Sequence, residues 1–227
     1  MTSTKVEQPA SRPLRKDAAR NREALIAAAR EVFARRGFDA SLDEIAKQAG
    51  VGVGTAYRHF ANKYELAEAI MEQAMESVVG QAEAAARAED PWQGLVEFLE
   101  AVLELQTSDR GLREVLMGVH DPAKADAAHD LLDGPVTALL ERAQASGDVR
   151  PDANTSDLGF LIMMLCLVAD ISGDETPGLW RRYLPTLLAG LRPGGVDESV
   201  PPMSTDRFRA AMLAHKAMAV KAAQSRC

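Results

Sequence analysis

The stretch SLDEIAKQAGVGVGTAYRHFANK, residues 41–63, decides the fold of the chain. Ser41 is followed three residues later by Glu44, a pattern typical of a capping box, so a helix is predicted to begin here. Apolar residues then recur at the spacing of one helical face, and Gly50 stands where a left-handed residue can end the helix. A second short helix is predicted over about residues 53–60. The stretch therefore predicts two short helices joined by a tight turn.

The second short helix has two faces of different chemistry. The apolar spacing predicts an inward face made of four residues, Val53, Ala56, Tyr57 and Phe60. The outward face then carries a bare backbone position, a hydroxyl, a guanidinium and an imidazole, from Gly54, Thr55, Arg58 and His59. Arginine can form two hydrogen bonds with guanine, and threonine can contact the methyl group of thymine. This face suits a DNA groove, although a two-helix hairpin alone is equally typical of a core with solvated polar residues.

Two further groups near this helix could contact the DNA backbone. The Tyr57 ring is predicted to lie on the inward side, but its hydroxyl is long enough to reach a phosphate. Asn62 and Glu65 form a second capping pair, which places Lys63 in the first turn of a third helix. The N-terminus of a helix together with a lysine favours the binding of an anion. Tyr57 and Lys63 are therefore candidate phosphate contacts.

Residues 27–66, AAAREVFARRGFDASLDEIAKQAGVGVGTAYRHFANKYEL, resemble the TetR family of bacterial transcriptional regulators. The resemblance is close over about the first 70 residues and extends beyond them only in architecture. It adds Arg22, which matches an arginine that the family carries near the start of its first helix. The candidate DNA-contacting residues are Arg22, Ser41, Gly54, Thr55, Tyr57, Arg58, His59 and Lys63.

This resemblance implies a dimeric regulator of transcription, most often a repressor. In such proteins the last two helices of each body pair with those of a second copy, so that two heads bind a palindromic DNA operator. A small molecule bound in the body lowers the affinity for DNA. The implied partners are double-stranded operator DNA, a second copy of the chain and a small-molecule effector.

Charge is divided unevenly along the 227 residues, whose formal net charge is −7. Residues 1–65 hold 12 Lys and Arg against 8 Asp and Glu, whereas the remainder holds 14 against 25. A basic head on an acidic body is expected when a DNA-binding domain is joined to a domain that does not bind DNA. Aromatic residues make up only 5% of the chain and β-branched runs are few, which favours an all-α fold.

The chain is predicted to have four parts: a disordered basic arm over 1–16, a helix-turn-helix domain over 17–66, a helical effector-binding and dimerisation domain over 67–192, and a linker with an extra helix over 193–227. The first helix is expected over about 17–37 and a long connecting helix over 63–88. Further helices are expected over 91–106, 109–119, 122–132, 135–146, 155–172 and 177–191. Gly134-Pro135 is expected to break or kink the helix that crosses it. The extra helix could brace a dimer, cover the acidic body or be a frayed tail.

A small-molecule cavity is expected between the connecting helix and the helices over 91–146 and 155–172, because the resemblance implies one there. The candidate ligand-binding residues are Phe98, Val102, Met117, His120, Met163, Met164, Cys166 and Leu167. Methionine suits a permissive apolar cavity, although a methionine pair on a buried helix is more often plain core packing. The scarcity of polar candidates indicates an apolar or amphipathic ligand.

An enzyme is not expected from this sequence. The four histidines are scattered, and the chain has no GxSxG, HExxH or phosphate-binding loop. Its two cysteines, Cys166 and Cys227, are far apart and lack the spacing of metal ligands. We therefore expect no catalytic site, metal or cofactor. A DNA-binding scaffold without an effector stays open, because a closed core and an empty cavity have the same sequence pattern.

The chain is expected to be soluble and cytoplasmic. Its first residues lack the apolar stretch of a signal peptide. The longest apolar run, residues 158–169, is too short to span a bilayer and is typical of a core helix.

Overall fold

The structure of the protein is a computed structural model that describes residues 12–109, 111–112, 122–173, 175–194, 200–212 and 214. Over these residues the chain forms helices and turns without a strand, so the all-α prediction is confirmed. The helices are α1 (Arg12–Arg36), α2 (Leu42–Gln48), α3 (Val53–His59), α4 (Lys63–Ala86), α5 (Pro91–Ser108), α6 (Pro122–Ala145), α7 (Thr155–Ser172) and α8 (Trp180–Ala189). Residues 205–212 are helical as well.

The first three helices and the start of α4 form a small domain, residues 12–70, which we call the head. Its core contains Phe33 of α1, Ile45 of α2, Ala56 of α3 and Ile70 of α4, all fully buried. Because Ala56 has only a methyl group, α3 can lie close against α1 and α2. This packing fixes the direction in which α3 projects.

The turn between α2 and α3 has the predicted chemistry. The Ser41 Oγ accepts the backbone N–H of Glu44 at 3.3 Å, and a Glu44 carboxylate oxygen accepts the backbone N–H of Ser41 at 3.0 Å. Gly50 has φ +66°, a left-handed conformation that glycine adopts without strain. The capping box and the glycine turn are therefore confirmed.

The start of α1 differs from the prediction. Residues 12–16 were expected to belong to a disordered arm, but α1 already begins at Arg12. Pro13 lies in the first turn of this helix, where its missing N–H breaks no helical hydrogen bond. Residues 1–11 of the predicted arm lie outside the described residues.

The rest of α4 and helices α5–α8 form a second domain, which we call the body. Its core contains Leu99 and Leu103 of α5, Leu139 of α6, Leu165 of α7 and Trp180 of α8. α4 packs against α1 in the head and against α5 and α6 in the body. One helix therefore belongs to both domains.

The two helices expected on either side of Pro135 form one helix, α6, so the predicted break is wrong. Leu132, Val136 and Leu139 of α6 all pack against the body core. Their spacing of four and three residues carries one apolar face through the proline. Packing of that face on the core offsets the hydrogen bond that the proline lacks.

α7 has the predicted bounds, but only part of it is buried. Leu158 and Leu165 lie in the body core, whereas Leu167 and Ile171 are 59% and 79% exposed. By length and composition alone, α7 is the one helix among those described that could span a membrane, with 18 residues and a mean hydropathy of 1.6. The apolar run considered in the sequence, residues 158–169, is shorter than the whole helix. Only 22% of α7 is buried, so one apolar side is uncovered in a single chain.

The segment after α5 joins the body to the head. The helix expected over 109–119 lies largely outside the described residues, but the Asp109 carboxylate accepts the backbone N–H of Leu112 at 2.8 Å, as a helix cap would. Leu112 is 1% exposed and belongs to the head core. A Cβ at Gly111 would lie 2.0 Å from the carbonyl oxygen of Arg30, so the two backbones touch where this glycine stands.

Candidate DNA-binding surface and effector cavity

α3 is anchored by two residues and open on its other side. Ala56 and Phe60 are 0% and 3% exposed. Gly54 and Arg58 are exposed, and a Cβ added at Gly54 would meet no atom within 4 Å. Thr55 and His59, also predicted to face outward, are half-buried. The open side of α3 therefore presents the backbone of Gly54, which has no side chain, and the guanidinium of Arg58.

Val53 and Tyr57 do not pack inward as the apolar spacing predicted. Val53 is 43% exposed and Tyr57 is 50% exposed. α3 has only seven residues, and the buried Ala56 together with the Phe60 cap fills the space against α1 and α2. The prediction fails because a helix this short needs only one buried residue per turn.

The Tyr57 hydroxyl is held at the boundary between α2 and α3. It donates a hydrogen bond to the Asp43 carboxylate, and this bond raises the pKa of Tyr57 above its ordinary value of 10.0. A phenol has one O–H to donate, so a phosphate contact by Tyr57 requires this hydroxyl to turn from Asp43 to the DNA.

Lys63 lies at the N-terminus of α4 with part of its hydrogen-bonding capacity in use. Its Nζ donates to the carbonyl oxygen of Phe38 at 2.8 Å and lies 5.1 Å from the centre of the Phe38 ring. The side chain thereby ties α4 to the turn between α1 and α2. An ammonium group has three donors, so two remain for an anion.

Arg22 and Ser41 flank this surface. The Arg22 guanidinium carbon lies 5.3 Å from the centre of the Phe60 ring, which places an exposed cation beside the end of α3. Ser41 is exposed at the start of α2. The backbone N–H of Ser41, more than the nearby Arg36, holds the pKa of Glu44 below its ordinary value of 4.5. The charge on Glu44 therefore supports the cap at this end of α2.

A cavity of about 700 Å³ lies in the body among α4, α5, α6, α7 and the segment 205–212. Six of the eight residues predicted to bind a ligand line it: Phe98, Val102, Met163, Met164, Cys166 and Leu167. Met117 and His120 lie outside the described residues. The volume is typical of small-molecule sites. The structure thus brings the predicted residues of α5 and α7 together around one space.

The cavity wall is mainly apolar and has a few polar groups. The Cys166 thiol donates a weak hydrogen bond to the Gln106 side-chain oxygen at 3.6 Å. Among the described residues, those in the wall that carry charge are Asp133, Asp170 and Arg209, of which Arg209 is paired with Asp133. Across the ranges described, no group of three His, Cys, Asp or Glu side chains could hold a metal ion.

Sequence reasoning placed the cavity beside the connecting helix and the helices over 91–146, but it named no cavity residue of α4 or α6 and did not include the C-terminal segment. Met75 of α4, Val136 of α6 and Phe208 of the segment all line it. Met75 could have been found, because it continues the apolar face of the connecting helix. No local pattern places Phe208 there, since its approach depends on how a distant segment folds back onto α7.

Two family models match the chain. Residues 25–70 match the one described as bacterial regulatory proteins, tetR family, and residues 90–193 match the C-terminal domain of SbtR-like transcriptional regulators. Among curated proteins, the HTH-type transcriptional regulator UidR of Escherichia coli (strain K12) is 29% identical over 168 residues, which cover 68% of this chain and 83% of UidR.

Solved structures show the same architecture. The TetR transcription regulatory protein from Mycobacterium vanbaalenii is 32% identical, with a TM-score of 0.57, over 79% of this chain and 99% of that protein. The complex of SmeT with triclosan is 22% identical, with a TM-score of 0.55, over 81% of this chain and 98% of SmeT, which shows a shared fold alone. From the two matched domains and these relatives, the chain is a member of the TetR family, a helix-turn-helix DNA-binding regulator of transcription and not an enzyme.

Proposed function

We propose that the protein is a homodimeric repressor that binds a palindromic operator and releases it when a small molecule occupies the body cavity. The observation that carries this proposal is the direct connection between the two parts. Val102 and Gln106 of α5 line the cavity, and Leu112, just beyond the end of α5, is buried in the core of the head. A ligand that moves α5 therefore acts on the packing that positions α3.

The open side of α3 is proposed to enter the major groove of DNA. Arg58 would contact a base, and Gly54 would let the helix backbone approach the base edges. Thr55 and His59 would contribute through their exposed parts. Tyr57, Lys63, Arg22 and Ser41 would contact phosphates around the groove, where contacts fix the position of a protein without specifying sequence.

A second copy of the chain is proposed to cover the exposed side of α7. Met164, Leu167 and Ile171 follow one another at spacings of three and four residues and are 49%, 59% and 79% exposed. Tyr183 on the neighbouring α8 is 44% exposed. A contiguous apolar surface of this kind marks an interface. A dimer would place two α3 helices about 34–36 Å apart, the spacing of successive major grooves.

The ligand is proposed to be apolar or amphipathic and to lack an anionic group. The cavity volume and its apolar wall favour a molecule of drug size. The arginine in the described wall, Arg209, is already paired with Asp130 and Asp133, so it is not a free counter-ion for an anionic ligand. SmeT binds triclosan within the same fold, which supports a small-molecule site in this body.

Release from DNA then follows from linkage between the two sites. A ligand that binds better to the conformation unable to hold DNA shifts the population toward it. Shifting the ratio from 1:99 to 99:1 takes about 5.5 kcal/mol of differential affinity. The same body without an effector is the competing function, and the cavity of about 700 Å³ favours an effector over a closed scaffold. Like other DNA-binding regulators of transcription, the protein is proposed to act in the cytoplasm.

Binding-site selection on random DNA with the purified protein tests this function. We expect enrichment of a palindrome whose half-sites lie one helical turn apart. Enrichment of a single half-site would contradict the dimer, and no enrichment would contradict the repressor. Titration with neutral N-phenyl-1-naphthylamine and anionic 1-anilinonaphthalene-8-sulfonate tests the ligand class, because tighter binding of the anion would contradict it.

A further inference from the structure

The C-terminal segment 200–212 closes one side of the body cavity. It lies beyond residues 90–193, which match the C-terminal domain of the family. Thr205, Phe208, Arg209 and Met212 of this segment line the cavity. We propose that the segment is part of the effector site, in which Phe208 contacts the apolar part of the ligand. This inference rests on the proposed effector function.

The Phe208 ring packs into a defined site on α7, beside Gly159 and Phe160. A Cβ added at Gly159 would lie 2.5 Å from Cζ of Phe208, so the ring occupies the space that this glycine leaves. The ring also stands edge-on against Phe160, with centroids 4.8 Å apart and planes at 75°. Phe208 is 9% exposed. The position of the ring is therefore set by two neighbouring residues of α7.

Hydrogen bonds hold the start of the segment at the N-terminus of α7. The carbonyl oxygen of Met203 accepts the side-chain amide of Asn154 at 2.9 Å and also the Ser156 hydroxyl. Ser156 is 1% exposed, and a buried hydroxyl requires a partner. The Thr155 and Thr205 hydroxyls lie 3.0 Å apart. The segment is thus attached to the residues that cap α7.

Arg209 ties the same segment to α6. Its guanidinium pairs with Asp130 at 2.9 Å and with Asp133, and its side chain is 18% exposed. The segment is therefore fixed to α6 and to α7, the two helices between which it lies. These contacts hold Phe208 and Met212 at the cavity wall.

A ligand that fills the cavity would contact Phe208 and Met212 from inside. Loss of the Phe208 contact should weaken binding and speed dissociation, because an apolar ligand would regain water on that side. The substitution Gly159→Ala separates this effect from folding. Alanine favours a helix more than glycine does, so α7 itself is not weakened, but the new methyl group excludes the Phe208 ring.

The test is titration of the full chain with N-phenyl-1-naphthylamine, a neutral apolar dye that fluoresces when it leaves water. Gly80→Ala is the matched control, because Gly80 lies in α4 and a Cβ there meets no atom within 4 Å. We expect Gly159→Ala to bind the dye about tenfold more weakly than Gly80→Ala, equivalent to about 1.4 kcal/mol. Phe208→Ala should also weaken dye binding, because it removes the same ring from the cavity wall.

Two results would overturn the inference. Equal dye affinity of Gly159→Ala and Gly80→Ala would show that the segment is not part of the site. Unchanged dye affinity of Phe208→Ala would show that the Phe208 ring does not contact the ligand. Absence of dye binding to the unsubstituted protein would instead remove the cavity as a ligand site, and with it the proposed effector function.

Discussion

Arg30 of α1 forms an ion pair with Asp109, the C-cap residue that follows α5. The pair is largely buried, with 24% and 21% of the two side chains exposed. Asp109 also accepts the backbone N–H of Leu112, whose side chain lies in the core of the head. Residues 109–112 therefore join the body to the head in three ways: the ion pair of Asp109 with Arg30, the cap that Asp109 forms, and the buried side chain of Leu112.

Leu112→Ala should destabilise the head, although Leu112 follows α5 in the chain. Removing a buried leucine typically costs about 2–5 kcal/mol, because a cavity is left behind. Hydrogen exchange of the α2 and α3 amides should become faster. Leu131→Ala is the control, since Leu131 is 61% exposed. Equal exchange rates in the two variants would show that Leu112 does not support the head.

Tyr57→Phe and Lys63→Ala should weaken DNA binding in different ways. The Tyr57 hydroxyl is uncharged at neutral pH, so its loss should lower affinity for all sequences without changing the dependence on salt. Loss of the Lys63 charge should flatten the slope of log K against log salt by about 0.9. Fluorescence anisotropy at several salt concentrations measures both. An unchanged slope for Lys63→Ala would mean that Lys63 only ties α4 to Phe38.

Gly54→Ala should separate stability from DNA binding. A Cβ at this position meets no atom within 4 Å, and alanine in a helix is favoured over glycine by about 1 kcal/mol. The melting temperature should therefore stay equal or rise, while affinity for the selected operator falls because the methyl group faces the bases. Gly80→Ala should raise stability without loss of affinity. Full operator affinity of Gly54→Ala would indicate that this face of α3 does not approach DNA.

Stability of the head should depend on the charge of Glu44. The folded-state pKa of Glu44 is lowered, chiefly by the backbone N–H of Ser41. Its contribution is therefore fully present above the ordinary value of 4.5 and is lost as pH falls through the lower folded value. Glu44→Gln should melt at a lower temperature than the unsubstituted protein at pH 7, and the difference should vanish in acid. Glu23→Gln, an exposed substitution in α1, is the control. A difference that persists once acid has protonated the Glu44 carboxyl would exclude this cause.

Local patterns predicted the head well because its turns depend on nearby residues. The Ser41–Glu44 cap and the left-handed Gly50 act over three or four residues, so their chemistry is visible in the sequence. Pro135 shows the opposite case. Its local preference predicts a break, but packing of α6 on the body core overrides it.

The body cavity was predictable only in part. Apolar residues of α5 and α7 were recognised from the resemblance and from their spacing. Phe208 lines the cavity because its ring fits the space beside Gly159, which lies 49 residues earlier in the chain. The ion pair of Arg209 with Asp133 also holds the segment against α6. Contacts between residues so far apart in the chain produce no periodic pattern in a single sequence.

Comparison of the operators selected by the unsubstituted protein and by Arg58→Ala tests the central claim most directly. That claim is that the open side of α3 contacts the edges of base pairs. We predict that Arg58→Ala loses preference at one base pair in each half-site, equivalent to about 1–3 kcal/mol, and retains the remainder of the palindrome. Identical sequence preferences for the two proteins would contradict the account.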